Sequence, residues 1–314
     1  MLSECGYLCV PAQLGDRYDA EDVVMIEILP RYGGTYFEIS YTLKKDVPVV
    51  NDDPAIEVEG GLDSMASLDP GVTMLGTLYF SKEGIRPLTI DARALGFLNS
   101  KSRRHTARNN RKGGKSGRNE NKRIYKRRKN RMTNALHTAA ANITRALVKH
   151  GVKRLIAGYN RGWKRRCKMG KKNNYKFMMI AHRRFYNILR DKLTAEGIEM
   201  YEQEESFSSR CDALAFEPIK RHKNYAGRRV KRGLFRSSIK DKNGQPIKIH
   251  SDVNGAINIL RKFINIHTYK SKIRKLNADL KERLRRSVGL LKSPYGIRVD
   301  GRRSHLDAGR LARK

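Results

Sequence analysis

Two alternating apolar runs open the chain: Val23, Val24, Met25, Ile26 and Ile28, then Tyr36, Phe37, Ile39, Tyr41 and Leu43, with Arg31-Tyr32-Gly33-Gly34 between them. Period-two alternation around a Gly-rich turn predicts a β-hairpin. Residues 44–61 are polar and turn-rich and read as a linker, so residues 1–62 form a small β element too short for a core of its own. The run from Ser67 to Phe80, with Asp69-Pro70-Gly71 near its start, predicts the first strand of a larger domain, and 87–90 its hairpin partner. Met132, Leu136, Ala139, Ala140, Ile143, Ala146 and Leu147 recur at helical spacing, and 152–159 follows as a buried strand. A second amphipathic helix is expected over 175–196, with Phe177, Ile180, Phe185, Ile188, Leu189 and Leu193 on its apolar face and Gly197 as its stop. A strand at 198–205, a Gly- and Lys-rich insertion at 211–248 holding a short hairpin, and a helix from Ser251 complete the pattern. Helix alternating with strand is the rhythm of an α/β core. The tail after Tyr269 is basic and heptad-like, then aperiodic from Tyr295, so its end is expected to be mobile.

Charge changes this picture most. The 314 residues carry 67 Lys and Arg against 31 Asp and Glu, a formal charge of +36. That excess implies a polyanionic partner, nucleic acid first. Residues 101–131 alone hold fifteen Lys or Arg and one acid, Glu120, with Gly113, Gly114 and Gly117 expected to break the run into a loop before a helix start. Such a block is either a solvated face or a segment that tracks phosphates, and the long apolar stripe continuing from it favours the second. No apolar run is long enough to span a bilayer and no signal-peptide pattern stands at Met1, so a soluble, intracellular, non-secreted protein is expected. Cys5, Cys9, Cys167 and Cys211 form no C-x-x-C pair, which points to free thiols rather than a disulfide framework or a zinc ribbon.

Three acidic features stand in order: Asp69 on the first strand, Glu204-Glu205 at the end of a later one, and Asp252 at a helix entrance. Asp69 taken alone could simply satisfy a turn, and Ser251 or Asp252 could simply cap the helix. Together they match a two-metal nuclease of the RNase H kind, in which two ions about 3.5–4 Å apart take carboxylates from different elements. Carboxylate oxygens suit Mg²⁺. Neighbouring residues on a strand face opposite ways, so Glu204 and Glu205 cannot both point inward.

The segments Gly158-Tyr159-Asn160-Arg161-Gly162-Trp163-Lys164, Glu204-Glu205-Ser206-Phe207-Ser208-Ser209-Arg210-Cys211, Phe216-Glu217-Pro218-Ile219, residues 230–238, and Asp252-Val253-Asn254-Gly255-Ala256-Ile257-Asn258-Ile259-Leu260 resemble, in collinear order, the TnpB proteins of insertion sequences. These are relatives of Fanzor proteins and of type V CRISPR effectors. The resemblance covers residues 65–265. It implies an RNase H-like (RuvC) α/β domain, a mixed sheet flanked by helices over 63–268, with the N-terminal β element and a basic helical tail at 269–314. It also implies Mg²⁺-dependent DNA cleavage directed by a guide RNA, with double-stranded DNA as target and no membrane partner. The compartment would be the cytoplasm or nucleoid of a prokaryote, or a nuclear or viral setting for a Fanzor-like member.

Carried onto this chain, Asp69 matches the first acid and Asp252 the third, in D-x-N-x-A-x-N-I. Many relatives place the second acid where this chain has Gly158. A subgroup resembles this chain in putting it just before the Y/F-[ST]-S motif, which selects Glu205, with Glu204 as fallback. Relatives often hold four zinc-binding cysteines in the insertion, and here Cys211 alone remains, so no zinc is expected. Some sixty residues cannot encode both a β-barrel and a helical recognition domain, so a shortened or N-terminally truncated member is expected. Arg103, Arg104, Arg108, Arg111, Lys112, Arg127, Arg128, Lys164, Arg229, Lys231 and Arg232 are candidate backbone contacts to guide RNA or DNA. Trp163 could stack on a base or pack against core. The rival readings are a transposon-derived RNA- or DNA-binding protein that no longer cleaves, and a ribosome-associated basic protein.

Overall fold

A computed structural model of the chain describes residues 23–31, 36–43, 61–71, 73–160, 181–268 and 270–300. It divides into two compact units, Met1–Val47 and Pro48–Lys314. In the first, β1 (Val23–Arg31) and β2 (Tyr36–Leu43) pair antiparallel, with Ile26 opposite Tyr41 and Ile28 opposite Ile39. This is the expected hairpin; its turn, residues 32–35, lies outside the described residues.

The second unit is built on one six-stranded sheet. The stretch expected as a single strand from Ser67 to Phe80 is two: β3 (Met65–Pro70) and β4 (Met74–Phe80), antiparallel, with Asp69 opposite Thr77. Pro70 has no N–H to extend the ladder. The turn is so tight that a Cβ on Gly71 would lie 2.7 Å from the Met74 carbonyl oxygen. β5 (Leu88–Asp91) continues antiparallel beside β4, while β6 (Arg154–Tyr159) and β7 (Glu199–Glu204) run parallel to β3. With β11 (Tyr295–Arg298) parallel to β5, the order is β11-β5-β4-β3-β6-β7. The five strands from β5 to β7 have the order and direction of an RNase H-like sheet.

Each face of the sheet is covered. Leu68, Leu78, Ile90 and Leu155 pack under α2 (Gly114–Lys149) and α3 (His182–Thr194). Met65, Tyr79 and Ile156 pack under α4 (Ser251–His267), which is itself backed by α5 (Lys270–Leu291). β6, covered on both sides, is accordingly apolar from Leu155 to Ala157, whereas β7 at the sheet edge carries Glu199, Glu202 and Glu204.

Three expectations need correction. The basic block is not interrupted by a loop: α1 (Arg93–Lys112) gives way at Gly113 directly to α2, and the two helices fold back antiparallel. Gly113 and Gly114 take φ of 67° and 77°, which glycine adopts freely, and Gly117 is needed for close approach, since a Cβ there would stand 2.9 Å from the Asn109 carbonyl. Asn109 and Asn110 each bond Asn121 across the hairpin. The insertion holds more than a hairpin: β8 (Arg228–Lys231), β9 (Leu234–Lys240) and β10 (Pro246–Ile249) form an antiparallel sheet in the order β10-β9-β8. The tail is helical over α5 as expected, with Leu280, Leu284 and Leu291 buried against α4, but part of the end expected to be mobile is ordered, since β11 is a sheet strand. No helix among the described residues is long and apolar enough to cross a membrane.

At the foot of β6 and β7, Arg154 and Glu199 are register partners and form a buried ion pair at 2.6 Å, with the guanidinium also over the Tyr201 ring. Removing one member of such a pair strands the other charge. Glu199→Ala is expected to destabilise the domain by about 3–5 kcal/mol, and R154M/E199M to recover most of that loss; equilibrium urea unfolding of both variants measures it.

Candidate active site

Asp69 sits near the end of the central strand, on the face turned to α4. Gly255, in the first turns of that helix, supplies the room: a Cβ there would lie 2.5 Å from Asp69 Oδ2. Ser67, two residues earlier on the same face, donates to the Ala256 carbonyl at 2.7 Å and fastens strand to helix. The helix start is capped by His250, whose Nδ1 accepts from the Asp252 amide at 3.3 Å. The cap alternative for Ser251 and Asp252 is thereby removed, and the Asp252 carboxylate is left to other contacts. It accepts from Ser251 Oγ at 3.1 Å and from the Arg229 guanidinium at 3.3 Å. Burial holds the His250 imidazole below its ordinary value, which keeps the ring neutral and able to accept that amide.

The two candidates for the second acid are separated by the structure. Glu204 is exposed and bound by Lys262 and by the Ser206 amide. Glu205 continues the β6–β7 pairing through its amide, 3.1 Å from the Tyr159 carbonyl, and turns inward. Its Oε2 lies 2.7 Å from where a Cβ on Gly158 would stand; Ile259 Cδ1 and Pro70 Cδ crowd the same point at 2.7 and 3.1 Å. The carboxylate of Glu205 therefore occupies the space that a side chain at 158 would need. A positive φ of 67° at Phe207 turns the chain sharply after it.

The three carboxylates feel one another. Burial, then the charge of Glu205, then that of Asp252 hold the Asp69 carboxyl well above the usual range, with Arg229 opposing. The same charges reach Tyr186, whose phenol is pushed up by burial first and then by Glu205, Asp69 and Glu202, and whose hydroxyl donates to the Gly158 carbonyl at 2.6 Å. Neither Tyr186 nor Gly255 was found from sequence. Tyr186 reads as one more apolar helix position, whereas an isolated glycine within a helical pattern is a signal that could have been followed. Asp69, Glu205 and Asp252 offer hard oxygen donors from three separate elements, a set suited to Mg²⁺. Among the described residues, no three His, Cys, Asp or Glu side chains are close enough together to hold a metal ion as they stand.

The basic candidates fall into several groups. Arg103, Arg104, Arg108 and Arg111 on α1 and Arg127 on α2 are exposed along the helical hairpin, as are Lys231 and Arg232 beside the Asp252 end of α4. Arg128 differs, since its Nε is committed to Asn99 Oδ1 at 2.6 Å between the helices. Arg229 reaches the acidic cluster. Trp163 and Lys164 lie outside the described residues, as does the side chain of Lys112.

The insertion is knotted by a carboxylate. Asp212, fully buried, accepts from Ser237 Oγ at 2.8 Å, from the Ser238 amide at 2.7 Å and from the Leu214 amide at 3.1 Å. Cys211, the sole insertion cysteine, directs its thiol to the Pro218 and Lys220 carbonyls.

The sheet order and its two covered faces are those of an RNase H-like α/β fold. Residues 47–164 match the family model OrfB_IS605, described as "Probable transposase". No curated protein matches the chain. Among solved structures, the chain is similar to one described as a Cas12f1-sgRNA-target DNA complex, at 15% identity over 65% of this chain and 51% of that one, with a TM-score of 0.46. It is also similar to a CRISPR-Cas12f ternary complex, at 16% identity over 71% and 41%, with a TM-score of 0.43. The match thus spans about half or less of those chains.

Replacing Asp212 leaves several backbone amides and hydroxyls buried without an acceptor, each costing about 1–3 kcal/mol. Asp212→Ala is therefore expected to lower the melting temperature and expose the 211–248 segment to protease, whereas chelator treatment of the wild-type chain leaves that segment resistant; limited proteolysis distinguishes the two.

Proposed function

We propose that the chain is an RNA-guided DNA endonuclease of the TnpB type, with Asp69, Glu205 and Asp252 as the cation-binding acids of its active site. The observation that carries the reading is the arrival of three carboxylates, from β3, from the end of β7 and from the start of α4, at one place where their charges raise the Asp69 carboxyl. Nothing in the stability of the fold calls for such convergence, and cations are what it suits.

When bound, two Mg²⁺ ions would polarise the scissile phosphate and lower the pKa of water for in-line attack. The residues themselves hold the cations, with Gly255 and Gly158 leaving room for Asp69 and Glu205, and Arg229 offsetting part of the charge at Asp252. The same geometry supports Glu205 as the second acid, since its carboxylate fills the space that Gly158 leaves. The α1–α2 hairpin, with Arg103, Arg104, Arg108, Arg111 and Arg127 exposed, supplies a backbone-tracking surface for guide RNA or target DNA. Base pairing would then choose the site. The place of action is inside the cell that carries the DNA.

With its RNA and matched double-stranded DNA, the purified protein is expected to cut in Mg²⁺. Asp69→Asn should lower cleavage by at least a thousandfold while leaving RNA binding within twofold, and Glu204→Gln should leave cleavage within a few-fold. Gly158→Ala should reduce cleavage at least tenfold with little change in melting temperature, because the added methyl meets the flexible ends of Glu205 and Ile259. Gel-based cleavage and filter binding measure both quantities. Unaltered cutting by Asp69→Asn would sink the site; RNA binding with no cleavage at any Mg²⁺ concentration would favour a protein that binds without cutting.

A further inference from the structure

Two buried polar atoms beside the carboxylates have no hydrogen-bond partner: Thr77 Oγ1 and Gln203 Oε1. Thr77 is fully buried and Gln203 is 4% exposed. Their positions are related by the sheet register. Thr77 is directly opposite Asp69 on β4, and Gln203 is directly opposite Gly158 on β7. Since Leu68 pairs with Ala157, Asp69 and Gly158 stand level on β3 and β6. One transverse row therefore runs Thr77, Asp69, Gly158, Gln203 across four neighbouring strands. All four lie on the face turned to α4, because strand residues alternate sides and because Asp69 meets Gly255 and Gly158 meets Ile259 there.

Nearer the foot of the sheet on that face Met65, Tyr79 and Ile156 are buried in the apolar layer under α4, and the polar side chains among them are engaged, Ser67 with the Ala256 carbonyl and Arg154 with Glu199. The outer two members of the row flank Asp69 and the gap over Gly158 into which the Glu205 carboxylate folds. Gln203 directs its Nε2 to the Glu204 carbonyl at 3.2 Å, which orients its amide and leaves Oε1 as the open acceptor.

A buried polar atom left unsatisfied costs about 1–3 kcal/mol, so two in one row at the acids call for a partner supplied there. We infer that Thr77 and Gln203 are positioning residues that accept hydrogen bonds from the water shell of the cation held by Asp69, Glu205 and Asp252. The inference rests on the reading of those three acids as a cation site. Mg²⁺ keeps several of its waters when bound by protein carboxylates, and such waters are strong donors. Threonine Oγ1 and amide Oε1 are both acceptors, and outer partners of this kind change metal affinity substantially when lost.

The test is Mn²⁺ binding to the metal-free full chain, followed by the electron paramagnetic resonance signal of free Mn²⁺. Asp69→Asn is the control for the site, and Thr77→Val, Thr77→Ser and Gln203→Leu test the row. Wild-type binding should depend on Asp69. Thr77→Val and Gln203→Leu should each weaken it about tenfold, while Thr77→Ser, which keeps the hydroxyl, stays within twofold of wild type. The metal-free melting temperature of Thr77→Val should not fall, since the change removes an unsatisfied atom from the interior. Asp69-dependent binding that is unchanged in both variants overturns the inference and leaves the cation site standing. Metal-free destabilisation of Thr77→Val also overturns it, by showing that Oγ1 is satisfied within the protein. Wild-type binding that is absent, or that survives Asp69→Asn, overturns the cation site and the inference with it.

Discussion

Like charges held together inside a fold are the constraint on which the rest of this structure depends. Asp69 is pushed above the usual carboxyl range by burial and by two neighbouring acids. An acid whose folded value lies above its unfolded one weakens the native state as pH rises through that range, so ionising the site is a cost to the domain. The fold meets it with rigidity. β3 is the strand with neighbours on both sides and an apolar layer on both faces, and Ser67 ties it to α4 one pleat below the acid. Destabilisation concentrated at one polar cluster in an otherwise well-packed core is what functional sites commonly show.

The same helix that brings Asp252 also fastens the segment carrying Glu205. Asn254 bonds the Ala213 amide and the Cys211 carbonyl, and Asn258, one turn on, bonds the Ser208 and Cys211 carbonyls. Arg261 then reaches Asn258 and the Glu217 carbonyl and lies over the Phe216 ring. The spacing D-x-N-x-A-x-N-I acquires a physical sense from this. Its two asparagines, four residues apart, share the helix face that meets the loop after Glu205, while the small Gly255 and Ala256 face the central strand. Two of the three acids are therefore placed by one rigid element, and the third by the strand against which that element packs.

What sequence made legible was the local part of this design. The hairpin of β1 and β2, the helix carrying Met132 to Leu147, the strand 152–159 and the order of the three acids all follow from periodicity and turn chemistry. What escaped depends on partners distant in sequence. The strand ending at Pro70 looked continuous with the next because both halves are apolar and the turn is only a few residues long. β11 has four residues and no period to detect; it is a strand because β5 lies open beside it. Gly113 was read as a loop, but a single break suffices when two helices can pair along their length. Strand alternation allows only one of Glu204 and Glu205 to face inward and the motif that follows them selects Glu205; the pairing of β6 with β7, which sets Gln203 opposite Gly158, turns that same residue inward.

Gly158 and Glu205 are best regarded as one feature. On parallel strands about 4.8 Å apart, a glutamate at the end of β7 can extend its carboxylate over the neighbouring position on β6 only if that position carries no side chain. A glycine there without Glu205 would leave two acids and a void; Glu205 beside any larger residue would meet it at under 3 Å. Together they bring a third carboxylate near Asp69 from the end of β7, and the interaction on which that depends is the one between Glu205 and the empty side of Gly158.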